Sequence, residues 1–222
     1  MILLSHELNS QTPAYANGPS LEVVPEKRIC AGDSCNSQKV SFSNHLGTHV
    51  DCPLHFDSEG KSLTDYEPDF WMPSPVGIVG YEADPGEIIH ADALMSRPGF
   101  SSLPANLEAL IIKTGFGELR DREDFWKRPP AYAPELADWL RNRFSQIRFF
   151  GFDSISLSSL VHRDMGREAH RAFLKNKHPI LILEDMDLTR IKPPVISDQI
   201  LISPLFLSGA DGAPCTIWMP ES

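Results

Sequence analysis

The sequence predicts a single mixed α/β domain, rich in short strands and joined by long loops. Three observations lead there. Apolar runs are short and broken by turn residues, as strands in a compact sheet require. Only a few segments place apolar residues at helical spacing. The 19 prolines and 14 glycines are spread along the chain, so they mark turns and not an interdomain linker. At 222 residues the chain can bury one substantial core, and residues 1–222 are expected to form one domain.

In chain order, strands are expected at 2–8, 21–24 and 40–42, where Ile, Leu and Val cluster between polar turns. The runs 76–81, 109–113, 147–152 and 179–183 are almost continuously apolar and bounded by Pro, Gly or charged residues, which suits strands covered on both faces. Residues 200–205 and 216–219 complete the set. The spacing predicts a short helix over 90–95. A longer one is expected over 134–144, where Pro134 stands in the first turn and Leu136, Leu140 and Phe144 recur at helical intervals. A further helix is expected over 167–175, with Ala169, Ala172 and Phe173 on its apolar face.

Composition narrows the function. Hydrophobic residues make up 41% and charged residues 23%, ordinary for a globular protein. A net charge of −10 argues against a nucleic-acid surface, and the densest basic stretch, Arg120 to Arg128, is diluted with acids. Cys30, Cys35, Cys52 and Cys215 form neither a disulfide framework nor a CxxC zinc knuckle; a Cys30–Cys35 pair is conceivable, but four free thiols in a reducing compartment fit better. No apolar stretch approaches the roughly 18 residues of a membrane span and no secretory signal is visible, so a cytoplasmic enzyme is expected.

The densest chemistry lies in Asn44-His-Leu-Gly-Thr-His-Val-Asp-Cys-Pro-Leu-His-Phe56. His45, His49, Asp51 and His55 all occupy odd positions, so extended backbone would put them on one face. A helix would pair His45 with His49 but turn Asp51 away, and Gly47 and Pro53 oppose a helix. A straight strand would stretch His45 to Asp51 over roughly 20 Å at about 3.3 Å per residue, too far for one ion. The backbone must therefore bend, with Gly47 as the natural hinge, and a metal site on a kinked strand or loop is expected. Farther on, Asp153-Ser-Ile-Ser-Leu157 follows a strand, His170 lies on the short helix, and Glu184 closes the run 179–183.

The run from His45 to His55 fits His-x-Gly-Thr-His-x-Asp-x-Pro-x-His at every specified position. It resembles the signature of the metal-dependent cyclase family that includes bacterial kynurenine formamidases and isatin hydrolases. The likeness extends to 4–15 with its Thr-Pro-x-Tyr turn, to Ala169-His-Arg-Ala-Phe-Leu174 followed by 179–185, and to Gly209-Ala-Asp-Gly-Ala-Pro214, similar to a closing Gly-x-Asp-Gly-x-Pro loop. The resemblance implies a swivelling β/β/α fold with a mixed central sheet. It also implies a homodimer or homotetramer and a Zn²⁺ or Mn²⁺ centre of one or two ions. By motif position it implies His45 and His49 as metal ligands and Asp51 as a ligand able to bridge two ions. His55 becomes the catalytic proton donor and acceptor, and His170 and Glu184 the remaining ligands. The interval from His170 to Glu184 is somewhat longer than in the formamidases, and the first seventy residues lack the tryptophan that formamidases set against the substrate ring.

Ligand chemistry agrees. Two imidazoles and a carboxylate suit Zn²⁺ or Mn²⁺ and leave positions for water, whose pKa a bound ion lowers to about 7. An imidazole with an ordinary pKa near 6.5 suits His55 for moving protons between water and a leaving nitrogen. Hydrolysis of a small amide, such as an aryl formamide or a cyclic amide, is the expected activity. A metal-assisted dehydratase or cyclase, or a non-catalytic metal- or small-molecule-binding protein, are the alternatives. No Gly-rich phosphate loop suggests an organic cofactor. His162 is the rival to His170; His6, His90 and His178 read as structural, and Asp153 as either a strand-end cap or a partner of the site. Phe70-Trp71-Met72-Pro73 reads as a hydrophobic plug before a substrate wall, and the loops 57–71 and 118–132 as carriers of specificity.

Overall fold

A computed structural model describes residues 1–221. In chain order the strands are β1 (Ile2–Leu3), β2 (Glu22–Lys27), β3 (Ser37–Ser41), β4 (His49–Asp51), β5 (Val76–Gly80), β6 (Ile88–Ile89), β7 (Ala109–Lys113), β8 (Ala131–Tyr132), β9 (Phe149–Phe152), β10 (Leu181–Glu184), β11 (Val195–Ser197), β12 (Leu201–Pro204) and β13 (Gly212–Met219). The α-helices are α1 (Ala91–Met95), α2 (Asp124–Lys127), α3 (Glu135–Arg143) and α4 (Arg163–Leu174).

The apolar runs form the middle of a mixed sheet ordered β1-β13-β4-β10-β9-β7-β5-β11, with β12 also on β13. β5, β7, β9 and β10 are parallel neighbours, while β4, β11 and β13 pair antiparallel. The two-residue alternation of a strand divides the core. Leu110, Ile112, Phe150, Phe152 and Ile182 face Leu136, Leu140 and Phe144 near α3 and Phe173 on α4. Ala109, Ile111, Phe149, Leu181 and Leu183 face the opposite way, toward Leu4, Ile202 and Ile217 of the terminal segments. The result is the swivelling β/β/α single domain with helices packed on one face. Among the described residues no helix is long and apolar enough to cross a membrane.

The central strands fall where the sequence places them; the differences lie at the edges. The first strand ends at Leu3 and not at residue 8, because the chain changes partner. Leu4 N–H still donates to Ile217, but Leu4 O accepts from Asp187 and Ser5 bridges Met186. α4 starts at Arg163 and not at 167. Gly166 masks that first turn in the sequence, yet its missing side chain is what lets the loop approach, since a Cβ there would lie 2.1 Å from Ser158 Cβ. The short β6, β8 and β11 and helix α2 were not expected. All four cysteines are unbridged, which removes the Cys30–Cys35 pair. Phe70 and Trp71 pack with Tyr66 and Phe149 beneath the sheet, so they are a hydrophobic plug.

Candidate metal centre

The run 45–56 bends twice. Gly47 takes φ +69°, open to glycine at little cost, and a Cβ there would come within 2.4 Å of Leu8. After that turn β4 runs straight for three residues, and a 3₁₀ turn over Pro53–His55 bends the chain again. Only His49 and Asp51 therefore share a strand face, with Val50 directed into the opposite core. His45 arrives from the turn before β4 and His55 from the turn after it. The expected bend at Gly47 is present, and the second bend after Pro53 was not foreseen.

Sheet register supplies the rest. Glu184 on β10 stands opposite His49, and on the other side Gly212 of β13 stands opposite Asp51. Gly212 is needed there: a Cβ would meet Val50 O at 2.6 Å and His45 Cε1 at 2.7 Å. α4 brings His170 over the same face. The structure thus gathers all six expected residues, His45, His49, Asp51, His55, His170 and Glu184, around one cavity of about 450 Å³. A larger cleft of about 860 Å³, between residues 9–20 and 117–126, holds none of the six.

Two donor groups share Asp51, namely His49–Asp51–Glu184 and His45–Asp51–His55. In the buried group, His49 Nε2 lies 3.4 Å from Asp51 Oδ1 and 3.4 Å from Glu184 Oε2. His170 Nε2 lies 3.7 Å from Asp51 Oδ2 and 3.6 Å from Glu184 Oε1. These distances are long for hydrogen bonds. They match the donor–donor edges of about 3.4 Å expected for tetrahedral bonds of about 2.0–2.2 Å. The far nitrogens are fixed: His49 Nδ1–H donates to Gly47 O at 2.8 Å and His170 Nδ1–H to Gly166 O at 2.7 Å, leaving both Nε2 lone pairs toward the carboxylates. Glu184 Oε1 accepts from Leu157 N–H at 2.6 Å and from Ser156 Oγ at 3.2 Å.

The outer group is held by Asp211, to which the sequence reading gave no role. Its Oδ2 accepts from His55 Nδ1 at 2.7 Å and faces His45 Nε2 at 3.1 Å, while Asn44 donates to Oδ1 at 2.6 Å. The signal was present in the Gly-x-Asp-Gly-x-Pro loop, but only the pairing of β13 with β4 reveals what that aspartate touches. His45 Nδ1 lies 2.8 Å from Asp51 Oδ1. A further unforeseen layer holds Asp185, the residue after Glu184. Arg120 forks onto Asp185 at 2.8 Å through both Nε and Nη2, and Thr48 Oγ1 donates to Asp185 O.

Electrostatics mark this as a cation site. Burial alone would lower the His45 pKa, but hydrogen bonds to Asp211 and Asp51 outweigh it and raise it to about 10. His49 and His170 are likewise raised against burial by Asp51 and Glu184. Burial pushes Asp51 up, but His45 and His49 hold it well below the usual carboxylate range, and His45 and His55 do the same for Asp211. The cluster demands positive charge at its centre, which a divalent cation supplies, and the donor set fits one. Burial pushes the Cys52 and Cys215 thiols well above their ordinary range, so neither offers a thiolate.

The other sequence candidates lie elsewhere. His162 Nε2 donates to Gly86 O, and His90 pairs with Glu135. Asp153 caps the end of β9 by accepting from Thr114 and Gly115. The loops 57–71 and 118–132 do not line the cavity. Its walls are Tyr15, Phe56, Ile155, Ser156, Ser158 and the start of α4; Phe116 and Phe125 merely support Ile155 and Tyr15 from behind.

Comparison with known proteins agrees with this architecture. The chain is 30% identical over 183 residues to kynurenine formamidase from Bacillus cereus, covering 82% of this chain and 78% of the relative. It is 26% identical over 220 residues to kynurenine formamidase from Geobacillus thermodenitrificans, covering 95% and 92%. Among solved structures, isatin hydrolase A from Labrenzia aggregata superposes with a TM-score of 0.79 at 16% identity, covering 97% of this chain and 91% of that one, and so shares the fold. The sequence pattern of the Cyclase family matches residues 2–159, a span that includes the His45–His55 run, and the chain belongs to that family.

Proposed function

We propose that this protein is a metal-dependent hydrolase of small amides, acting on a non-peptide C–N bond of an aryl formamide or a cyclic amide. One observation carries the reading: Asp51 is shared between a buried donor group and a partly exposed one at the floor of a cavity of small-molecule size. The kynurenine formamidase relatives support the reaction class. His45, His49, Asp51, His170 and Glu184 would hold one or two ions of Zn²⁺ or Mn²⁺. When bound, such an ion polarises a carbonyl and lowers the pKa of water.

The chain's own groups do the rest. His55 Nδ1–H donates to Asp211, which leaves Nε2 to face the cavity. Nε2 takes a proton from the attacking water and returns it to the departing nitrogen, while Asp211 stabilises the imidazolium formed between those events. Phe56 stacks on His170 at 4.7 Å between centroids and 20° between planes, which shields the buried donors from bulk water. Tyr15, held by Ser158 Oγ at 3.1 Å, and Ile155 form the facing wall.

A cytoplasmic oligomer is part of the proposal. Two of the four free thiols are exposed, which suits a reducing compartment. The β2–β3 hairpin exposes Val23, Val24 and Val40, apolar surface that a homodimer or homotetramer would cover. The test of the activity is metal content by mass spectrometry together with hydrolysis of formanilide by the zinc- or manganese-loaded protein. Stoichiometric metal with turnover is expected; stoichiometric metal without turnover on any amide would leave a binding protein.

A further inference from the structure

α4 carries more than His170 into the cavity. Arg163, Arg167 and His170 are spaced i, i+4 and i+7, so they share one face of the helix, and all three line the cavity. At 1.5 Å rise per residue the two arginines start about 4.5 and 10.5 Å nearer the helix N-terminus than His170. His170 reaches the donor cluster at the floor, so the guanidiniums stand at the rim.

Neither arginine is used up by the fold. Among the described residues Arg163 has no acidic partner within ion-pair distance, and Arg167 meets only Asp164, at 3.3 Å on the open surface. Such an exposed pair contributes little and leaves the guanidinium available. Arg163 is also the first residue of α4, where the helix dipole disfavours a cation. A residue placed against its local preference, facing a cavity, is the pattern of a functional position. The chain's net charge of −10 repels anions in general, so an anionic substrate would need a local cationic rim.

The cavity therefore has three zones: a donor floor, a wall of Tyr15, Phe56 and Ile155, and a guanidinium rim. We infer that Arg163 and Arg167 bind a carboxylate of the substrate, so that this site takes amides carrying an acid group on an aromatic or apolar body in preference to neutral ones. The inference rests on the amide-hydrolase reading above and adds the substrate class to it. Arginine's planar fork suits a carboxylate, and both oxygens can be engaged. A neutral cyclic amide would leave both guanidiniums uncompensated.

The experiment compares formanilide with 2-, 3- and 4-formamidobenzoate on the metal-loaded protein, for wild type, Arg163→Gln, Arg167→Gln and the double variant. The wild type is expected to prefer at least one acid isomer over formanilide in kcat/KM. That preference should fall by about tenfold in the double variant, mainly through KM, and should weaken as salt is added. A ratio of acid to neutral substrate that is the same in wild type and double variant overturns the inference while leaving the hydrolase reading intact. If none of the four amides is turned over, the aryl-formamide form of the hydrolase reading fails. The carboxylate site is then read by calorimetric titration of benzoate into the metal-loaded protein. Weaker binding by the double variant supports the site, and equal or absent binding overturns it.

Discussion

The two halves of the donor cluster are built differently. His49, Asp51, Glu184 and His170 come from β4, β10 and α4 and are buried to 5% exposure or less. Three of them are anchored by backbone groups, His49 by Gly47 O, His170 by Gly166 O and Glu184 by Leu157 N–H, while Asp51 meets His45 Nδ1. His45, His55 and Asp211 come from turns, their side chains are 21–33% exposed, and they are oriented chiefly by one another. Backbone anchors fix a donor to within the stiffness of the sheet, which suits ligands that must hold an ion. Groups held by side chains at a solvent-facing edge keep the freedom and water access that proton transfer needs. On the proposed function, the buried half would carry most of the metal retention and His55 with Asp211 the proton traffic, while His45 would serve the metal from the outer edge.

The sharpest way to break that division is Asp51→Ala, because Asp51 alone belongs to both halves. The variant is expected to lose metal affinity by more than about a hundredfold and to show no turnover above background. Mass spectrometry of metal content checks it; a variant that keeps full stoichiometry would move the centre away from β4. His55→Ala comes next. It should retain its metal and lose about a hundredfold or more in kcat, the ordinary range for a missing general acid–base. Loss of metal in that variant would make His55 a ligand and erase the functional difference between the halves.

The same contrast explains what the sequence made legible. The buried half is read through periodicity: β7 and β9 are apolar runs, His49 and Asp51 alternate with Val50, and Glu184 directly follows the apolar run that forms β10. Local pattern carries that information because strand geometry is local. The outer half depends on a contact between residues 156 positions apart, His55 and Asp211, created only when β13 docks on β4. Nothing near either residue states that pairing. The early start of α4 was hidden for a related reason, since Gly166 looks like a helix breaker until Ser158 is seen packed against it. Arg163 and Arg167 were overlooked with it, because a helix expected to begin at 167 has no face for Arg163 to share.

Two smaller effects refine the division. In Asp211→Asn the side chain keeps its shape but loses the charge that both histidines face. Turnover should drop by about tenfold while metal content stays at the wild-type level, as for a partner that orients a catalytic group. Equal loss of metal would show that Asp211 helps to hold an ion and does not merely orient His55.

Ser156→Ala should do least. Ser156 Oγ donates to Glu184 at 3.2 Å, but the shorter bond from Leu157 N–H at 2.6 Å belongs to the backbone and survives the substitution. The bond to the carboxylate is long, at the low end of about 1.5 kcal/mol for hydrogen bonds to charged groups, so metal affinity should change by no more than about tenfold. If affinity instead collapsed as in Asp51→Ala, the backbone anchor would be insufficient to hold Glu184. The rigidity attributed to the buried half would then depend on side chains after all, and the difference between the two halves would reduce to burial alone.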